Sequence, residues 1–273
     1  CGLGEALACV SFIGLQDIGE KQQAAVRLAE PGPEPAPKLT TKQRAVVDFL
    51  RARAPEAISA AEIAQETKVG PAVIRKLLAN GVLTKVRYSM ARRDDYEREV
   101  APDLPPPLTG DQQAAFDAAE KALVARRHET FLLHGVTSSG KTEVYLRLIA
   151  RALEEGGSAI MLVPEISLTP QTVDRFRRRF GAIVGVYHSR LTAGQKFDLF
   201  RRIERGDCRV VVGARSALFA PLPRLRVVVV DEEHEATYKQ DSAPRYHART
   251  VAIEVARRSE AIVVLGSATP SIE

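Results

Sequence analysis

The sequence predicts an α/β protein in which a mostly parallel sheet is covered by helices and preceded by a small helical domain. Three observations carry this. From residue 109 onward, short continuous apolar runs ("TFLLH", "AIMLV", "AIVGVY", "RVVVG", "VVVVD" and "AIVVLG") alternate with helix-patterned segments. Runs apolar on both faces are strands buried from both sides, as parallel sheets require. Two proline-rich stretches, "EPGPEPAPK" (30–38) and "APDLPPPL" (101–108), set apart a segment of roughly sixty residues. Finally, a glycine-bounded polar loop, "HGVTSSGKTEVYL" (134–146), stands between an apolar run and a helical pattern.

Taken in order, residues 1–40 read as a partial N-terminal segment and linker. The apolar run in "ALACVSFIGL" is too short to span a bilayer, and neither a Met nor a basic leader precedes it, so no membrane association is expected. A chain opening at Cys1 and closing at "GSATPSIE" reads as a piece cut from a longer one.

Residues 41–100 read as a winged helix. Val46, Val47, Phe49 and Leu50 fall at helical spacing, and Ser59 with Glu62 forms a capping-box pattern. After the turn "TKVG", Pro71 opens a third helix that runs to Gly81, and "VLTKVRYS" is strand-like. Arg75 and Lys76 lie opposite the apolar face of that third helix, and Lys85, Arg87, Arg92 and Arg93 decorate the expected wing. DNA contact and use as a packing module both remain open for this domain.

Residues 101–108 are the second linker, expected to leave the winged domain free to reorient. Residues 109–273 form the α/β domain.

Composition bounds the chemistry. Lys and Arg number 39 against 34 Asp and Glu, a net charge of +5, which leans towards a polyanionic partner. Cys1, Cys9 and Cys208 have neither metal-ligand spacing nor an even pairing, which argues against a zinc site or disulfides in this stretch and suits a reducing cytoplasm.

Gly135, Gly140, Lys141 and Thr142 satisfy G-x-x-x-x-G-K-[ST] directly after a strand and before a helix, the context that motif requires. Its backbone amides would cradle phosphates, Lys141 would reach the terminal phosphates and Thr142 would ligate magnesium. "RVVVVDEEH" places Asp231 and Glu232 at the C-terminal end of a buried strand, where open parallel sheets bind ligands. Asp231 would hold magnesium, and Glu232 would orient and deprotonate the water attacking a γ-phosphate. The α/β domain is therefore expected to bind a nucleoside triphosphate with Mg2+ and to hydrolyse it. "RFRRRF" (175–180) is expected to bury Phe176 and Phe180 and leave its arginines solvated.

"DEEH" followed by "GSATP" (266–270), with "LVPEISLTPQ" and "GARSALF" between, resembles the helicase-translocase superfamily with DEAH-like boxes. With "GVTSSGKTEVYL", "YHSRL", "DEEHEATYKQ" and "PRYHAR" added, the pattern is similar to the bacterial replication-restart helicases, the primosomal protein N-prime family. These blocks cover most of residues 108–273. The family often has Gly where Ser138 stands, a departure the general phosphate-loop pattern tolerates.

The resemblance implies a RecA-like fold for the α/β domain and roles for further residues. Gln112 would read the adenine edge, and Ser138, Ser139 and Glu143 would belong to the nucleotide site. Ser267 and Thr269 would couple nucleotide state to the nucleic-acid site through the Asp231 and His234 region. Pro164, Thr169, Arg215 and Ser216 would lean on the backbone of a single strand. The aromatic-rich segment 235–249 would sense single-stranded DNA, with Tyr238, Tyr246 and His247 stacking on bases and Lys239 and Arg245 neutralising phosphates. His188 receives no role.

The activity implied is an ATP-dependent 3′ to 5′ DNA helicase acting on single-stranded and forked DNA at stalled forks, with primosome and single-strand-binding proteins as partners. It would be cytoplasmic and nucleoid-associated. A second RecA-like lobe with arginine fingers and a zinc-binding region are expected outside residues 1–273, so the segment alone would be weakly active or inactive.

Overall fold

The computed structural model describes residues 22–30, 37–54, 58–89, 96 and 100–270. Cys1, Cys9, Arg92 and Arg93 lie outside the described residues, as does the side chain of Arg87. The chain divides into two compact units, Glu20–Arg92 and a larger unit holding Arg93–Glu273.

The smaller unit contains β1 (Gln22–Leu28), α1 (Thr41–Ala52), β2 (Ile58–Ser59), α2 (Ala60–Thr67), α3 (Pro71–Ala79) and β3 (Leu83–Ser89). Thr40 caps α1 with a complete capping box, and the Ser59 hydroxyl accepts from the Glu62 amide to start α2. Pro71 occupies the first turn of α3, and Gly81 (φ +68°) follows its end, as the sequence pattern implies.

Val46, Leu50, Ile63, Ile74 and Leu77 form the apolar centre of this unit, while Arg75 and Lys76 are exposed. The sheet order is β2-β1-β3, all antiparallel. Its middle strand, β1, comes from the stretch read as leading segment and linker. The compact unit therefore starts near Glu20, because β1 pairs with both β2 and β3.

The larger unit is built on a six-stranded sheet, order β4-β11-β8-β5-β7-β6, with every pair parallel. In chain order it runs α4 (Gly110–Val124), β4 (Thr130–His134), α5 (Lys141–Glu154), β5 (Ser158–Leu162) and α6 (Pro170–Phe180). It continues with β6 (Val184–Tyr187), α7 (Ala193–Arg205), β7 (Val210–Gly213) and β8 (Leu225–Val230). A short antiparallel pair, β9 (Lys239–Gln240) and β10 (Tyr246–His247), precedes α8 (Ala248–Arg258) and β11 (Ile262–Ser267).

Alternation along each strand divides the core in two. Val227 and Val229 pack with α4, α5 and α6, whereas Val228 and Val230 pack with α7 and α8. Full burial of such a side chain stabilises by about 1.5–3 kcal/mol, so the central strands dominate the unit's stability.

β4 departs from the expectation of strands buried on both faces. It is an edge strand paired with β11, and Leu132 is 54% exposed. Two further expectations are corrected. Arg177 and Arg179 of α6 are not solvated: their side chains are buried and donate to Tyr96 O and to the Glu143 carboxylate. The stretch 101–108 belongs to the larger unit by its contacts: the Asp103 amide donates to Arg178 O (3.2 Å) and Arg147 donates to Pro106 O (2.7 Å).

Candidate active site: the phosphate loop and the acidic turn

The loop between β4 and α5 is shaped by backbone conformation. Ser138 and Gly140 both have positive φ (+67° and +82°), and Gly140 caps α5. A side chain at Gly140 would be strained there and would also collide with the Gln112 amide. The loop is tied down at its start, where the Gly135 amide donates to Ser267 O (3.1 Å), bringing the ends of β4 and β11 together.

β8 is flanked by β5 and β11, and its register carries Asp231 past the sheet's C-terminal edge, with the Asp231 amide donating to Leu162 O (3.0 Å). Glu232 has φ +47°, a left-handed conformation that costs a non-glycine residue about 1–2 kcal/mol. This turn places its carboxylate between a lysine and a histidine: Oε1 lies 3.8 Å from Lys141 Nζ, and Oε2 lies 3.7 Å from His234 Nδ1.

Lys141 also donates to Gly135 O (2.7 Å), which folds it back over the loop. Thr137, Ser138, Ser139, Gly140, Lys141, Thr142, Glu143, Asp231 and Glu232 line one cavity of about 590 Å³ together with Asp103, Pro106, Leu146, Arg175 and Arg179.

Two tyrosines hold Asp231. The Tyr145 hydroxyl donates to its Oδ1 (3.1 Å), and the Tyr238 hydroxyl donates to its backbone oxygen (2.7 Å). Both tyrosines are buried, which pushes their hydroxyls well above the ordinary range, with the Asp231 charge adding to the effect. Burial likewise raises the Asp231 carboxyl; the Tyr145 hydrogen bond opposes this and the neighbouring Glu232 adds to it.

Sequence reasoning missed Tyr145. The available signal was its place one helical turn after Lys141, on the buried face of α5. Gly266 is the matching requirement, because a Cβ there would collide with the Tyr145 hydroxyl.

The "GSATP" turn meets the acidic turn directly. His234 Nδ1 and Ser267 Oγ are 2.7 Å apart, and the Thr269 amide donates to Ser267 Oγ (3.1 Å), while the Glu233 amide donates to Gly266 O (2.9 Å). Ser267 is fully buried and Thr269 is exposed. Glu233, also missed, forms a buried pair with Arg249 (2.8 Å).

Other expected residues are engaged within the protein. Gln112 spends its amide inside the protein: the Thr109 amide donates to its Oε1 (3.0 Å), and its Nε2 donates to Ser139 O (2.9 Å). The Glu143 carboxylate is taken by Arg179 and Arg147. Arg215 braces the segment after the acidic turn, donating to Thr237 O (3.0 Å) and Lys239 O (2.7 Å). Ser216 is half-buried beside it, Pro164 is buried, and Thr169 caps α6.

Tyr238 is a correction. At 1% exposure it cannot stack on a base, because its ring fills the core and its hydroxyl is committed to Asp231. His247 caps α8, its Nδ1 accepting from the Arg249 amide (3.2 Å). Tyr246 packs edge-on against Phe219 (5.6 Å between centroids). Lys239 and Arg245 are exposed. His188 is buried, with its ring edge-on to Tyr96 (5.4 Å). Cys208 is a packed thiol, which burial pushes up to about 11.

Residues 109–273 match the DEAD/DEAH box helicase family. The chain is 49% identical over 235 residues to the replication restart protein PriA of Bacillus subtilis (strain 168), covering 85% of this chain and 29% of that protein. It is 42% identical over 237 residues to PriA of Chlamydia pneumoniae, covering 86% of this chain and 31% of the relative. Against PriA of Chlamydia trachomatis it is 36% identical over 279 residues, covering 100% of this chain and 37% of the relative. The chain thus spans about three-tenths of the length of the first two relatives. On the match over its larger unit, the chain belongs to the DEAD/DEAH box helicase family.

Proposed function

We propose that this chain carries the first nucleotide-binding lobe of an ATP-dependent 3′ to 5′ DNA helicase that acts in replication restart. One observation carries the reading: Lys141 from the phosphate loop and Asp231 and Glu232 from the acidic turn line a single cavity, with Glu232 3.8 Å from Lys141. The PriA relatives, named for replication restart, supply the biological setting.

In this reading the loop amides and Lys141 hold the β- and γ-phosphates. Glu232 accepts the proton of a water whose oxygen bonds to the γ-phosphorus in line with the departing β–γ bridging oxygen, which leaves with ADP. The Asp231 carboxylate and the Thr142 hydroxyl are hard oxygen donors on one cavity wall and suit magnesium, whose charge neutralises the phosphates when bound. Tyr145 and Tyr238 fix Asp231 from below. Ser267, through His234, joins the "GSATP" turn to the base, and Arg215 joins residues 237–239 to the sheet.

The exposed Lys239 and Arg245 and the half-buried Tyr246 form the face turned towards single-stranded DNA. The Glu20–Arg92 unit is read as a winged helix, supported by three helices, an antiparallel sheet and the exposed pair Arg75 and Lys76. By resemblance, the rest of the longer protein supplies the second lobe, its arginine fingers and the zinc-binding cysteines. The partners are forked DNA, primosome proteins and single-strand-binding protein. The setting is the cytoplasm and nucleoid; among the described residues no helix is long and apolar enough to cross a membrane.

The test is the ATPase rate of the full-length protein with single-stranded DNA, with RNA and with neither. Stimulation by DNA above RNA supports the reading. A rate indifferent to DNA would overturn it.

A further inference from the structure

The proline-rich stretch before α4 is anchored at the cavity by a charge network. Arg179, on α6, forms a two-pronged pair with Glu143, next in sequence to Thr142: Nη1 to Oε1 and Nη2 to Oε2, both 3.0 Å. Its remaining donor, Nε, lies 3.2 Å from Asp103 Oδ1. Arg147 reaches the same Glu143 (3.0 Å) and donates to Pro106 O (2.7 Å). Two guanidiniums thus join the first turn of the phosphate-loop helix to the stretch 103–106, Arg179 at Asp103 and Arg147 at Pro106, and both Asp103 and Pro106 line the cavity beside Thr142. The Arg179 side chain is only 8% exposed, whereas that of Asp103 is 40% exposed.

We propose that residues 103–106 are a wall of the nucleotide cavity and that Arg179 is the positioning residue that holds this wall to Glu143, so that nucleotide occupancy and attachment of the wall are coupled. The proposal rests on the cavity being a nucleotide site. A planar guanidinium paired with two carboxylates holds Glu143 in place and so fixes the helix N-terminus that lines the cavity. Release of the wall loosens Glu143 and opens the cavity. By linkage, a nucleotide that binds the closed cavity more tightly must hold the wall in place to the same degree.

The experiment uses the full-length protein, with fluorescent ADP and magnesium as the probe and Lys141→Ala as the control. Asp103→Ala removes only the outer, partly exposed arm and leaves Glu143 paired. It is expected to weaken ADP binding about fivefold, the low end of such couplings, and Asp103→Glu to restore affinity to within about twofold. In the wild type, amide hydrogen exchange over 101–108 slows when ADP is added, and in Asp103→Ala it does not.

Wild-type affinity in Asp103→Ala, or exchange over 101–108 of the wild type that is indifferent to ADP, would overturn the proposal while leaving the nucleotide site intact. If Lys141→Ala binds ADP as well as the wild type, the nucleotide reading fails and the proposal fails with it.

Discussion

The phosphate loop (135–142) and the segment after the acidic turn (235–247) both follow the C-terminal end of a sheet strand, yet they differ in what carries their part of the site. In the loop the backbone sets the shape: positive φ at Ser138 and Gly140 leads into the start of α5, and residues 137–142 line the cavity. In the later segment the side chains named from sequence have structural duties. Tyr238 pins Asp231, His247 caps α8, and the backbone at 237 and 239 is gripped by Arg215. The first region is a cradle of backbone. The second is a bracket that ties an exposed cationic edge to the acidic turn.

The bracket can be broken most severely at Tyr238. Tyr238→Ala removes a fully buried ring and is expected to destabilise the larger unit by about 3–5 kcal/mol, read by denaturant unfolding. Tyr238→Phe keeps the ring and is expected to cost about 1 kcal/mol. A base-stacking residue would behave oppositely, with unchanged stability in both variants and weakened DNA binding in the alanine variant.

Asp231 sharpens the cradle side. Burial raises its carboxyl in the folded protein, so the folded state holds the proton more tightly than the unfolded one. The resulting stabilisation is fully present below the ordinary carboxylate pKa and is lost as pH rises through the raised value. At neutral pH in magnesium-free buffer, Asp231→Asn should therefore melt above the wild type, the gap closing as pH falls to the ordinary carboxylate range. A variant melting lower at neutral pH would contradict this.

The smallest effects are expected at the exposed edge. Lys239→Ala or Arg245→Ala should leave melting unchanged and reduce the salt dependence of single-strand binding by about 0.7 in log–log slope each. An unchanged slope would remove those residues from the DNA face.

The same contrast explains how much could be read from sequence. The parallel sheet was legible because six apolar runs each stood alone between helical patterns. The phosphate loop was legible because its spacing encodes backbone geometry, and Asp231 and Glu232 because they end a buried run. Ser267 was also foreseen near His234, and the two atoms stand 2.7 Å apart.

Tyr145, Arg179 and the Glu233–Arg249 pair were not legible, since their meaning depends on residues distant in the chain. Neither was β1, where "QQAAVRL" lacks strict apolar–polar alternation and becomes a strand by pairing with residues 58–59 and 83–89. "RFRRRF" misled for a related reason. The helix face was judged by its own pattern, whereas Arg177 and Arg179 are buried by the stretch around Tyr96 and Asp103 and by Glu143.

The proposed function requires the cavity at Lys141, Asp231 and Glu232 to hydrolyse ATP with Glu232 as the base. Single-turnover hydrolysis and ATP binding by the full-length protein, wild type beside Glu232→Gln, test it most directly. The account predicts that the variant loses about 10²–10⁴-fold in the hydrolysis rate while binding ATP with near wild-type affinity. A variant that hydrolyses at the wild-type rate would contradict it.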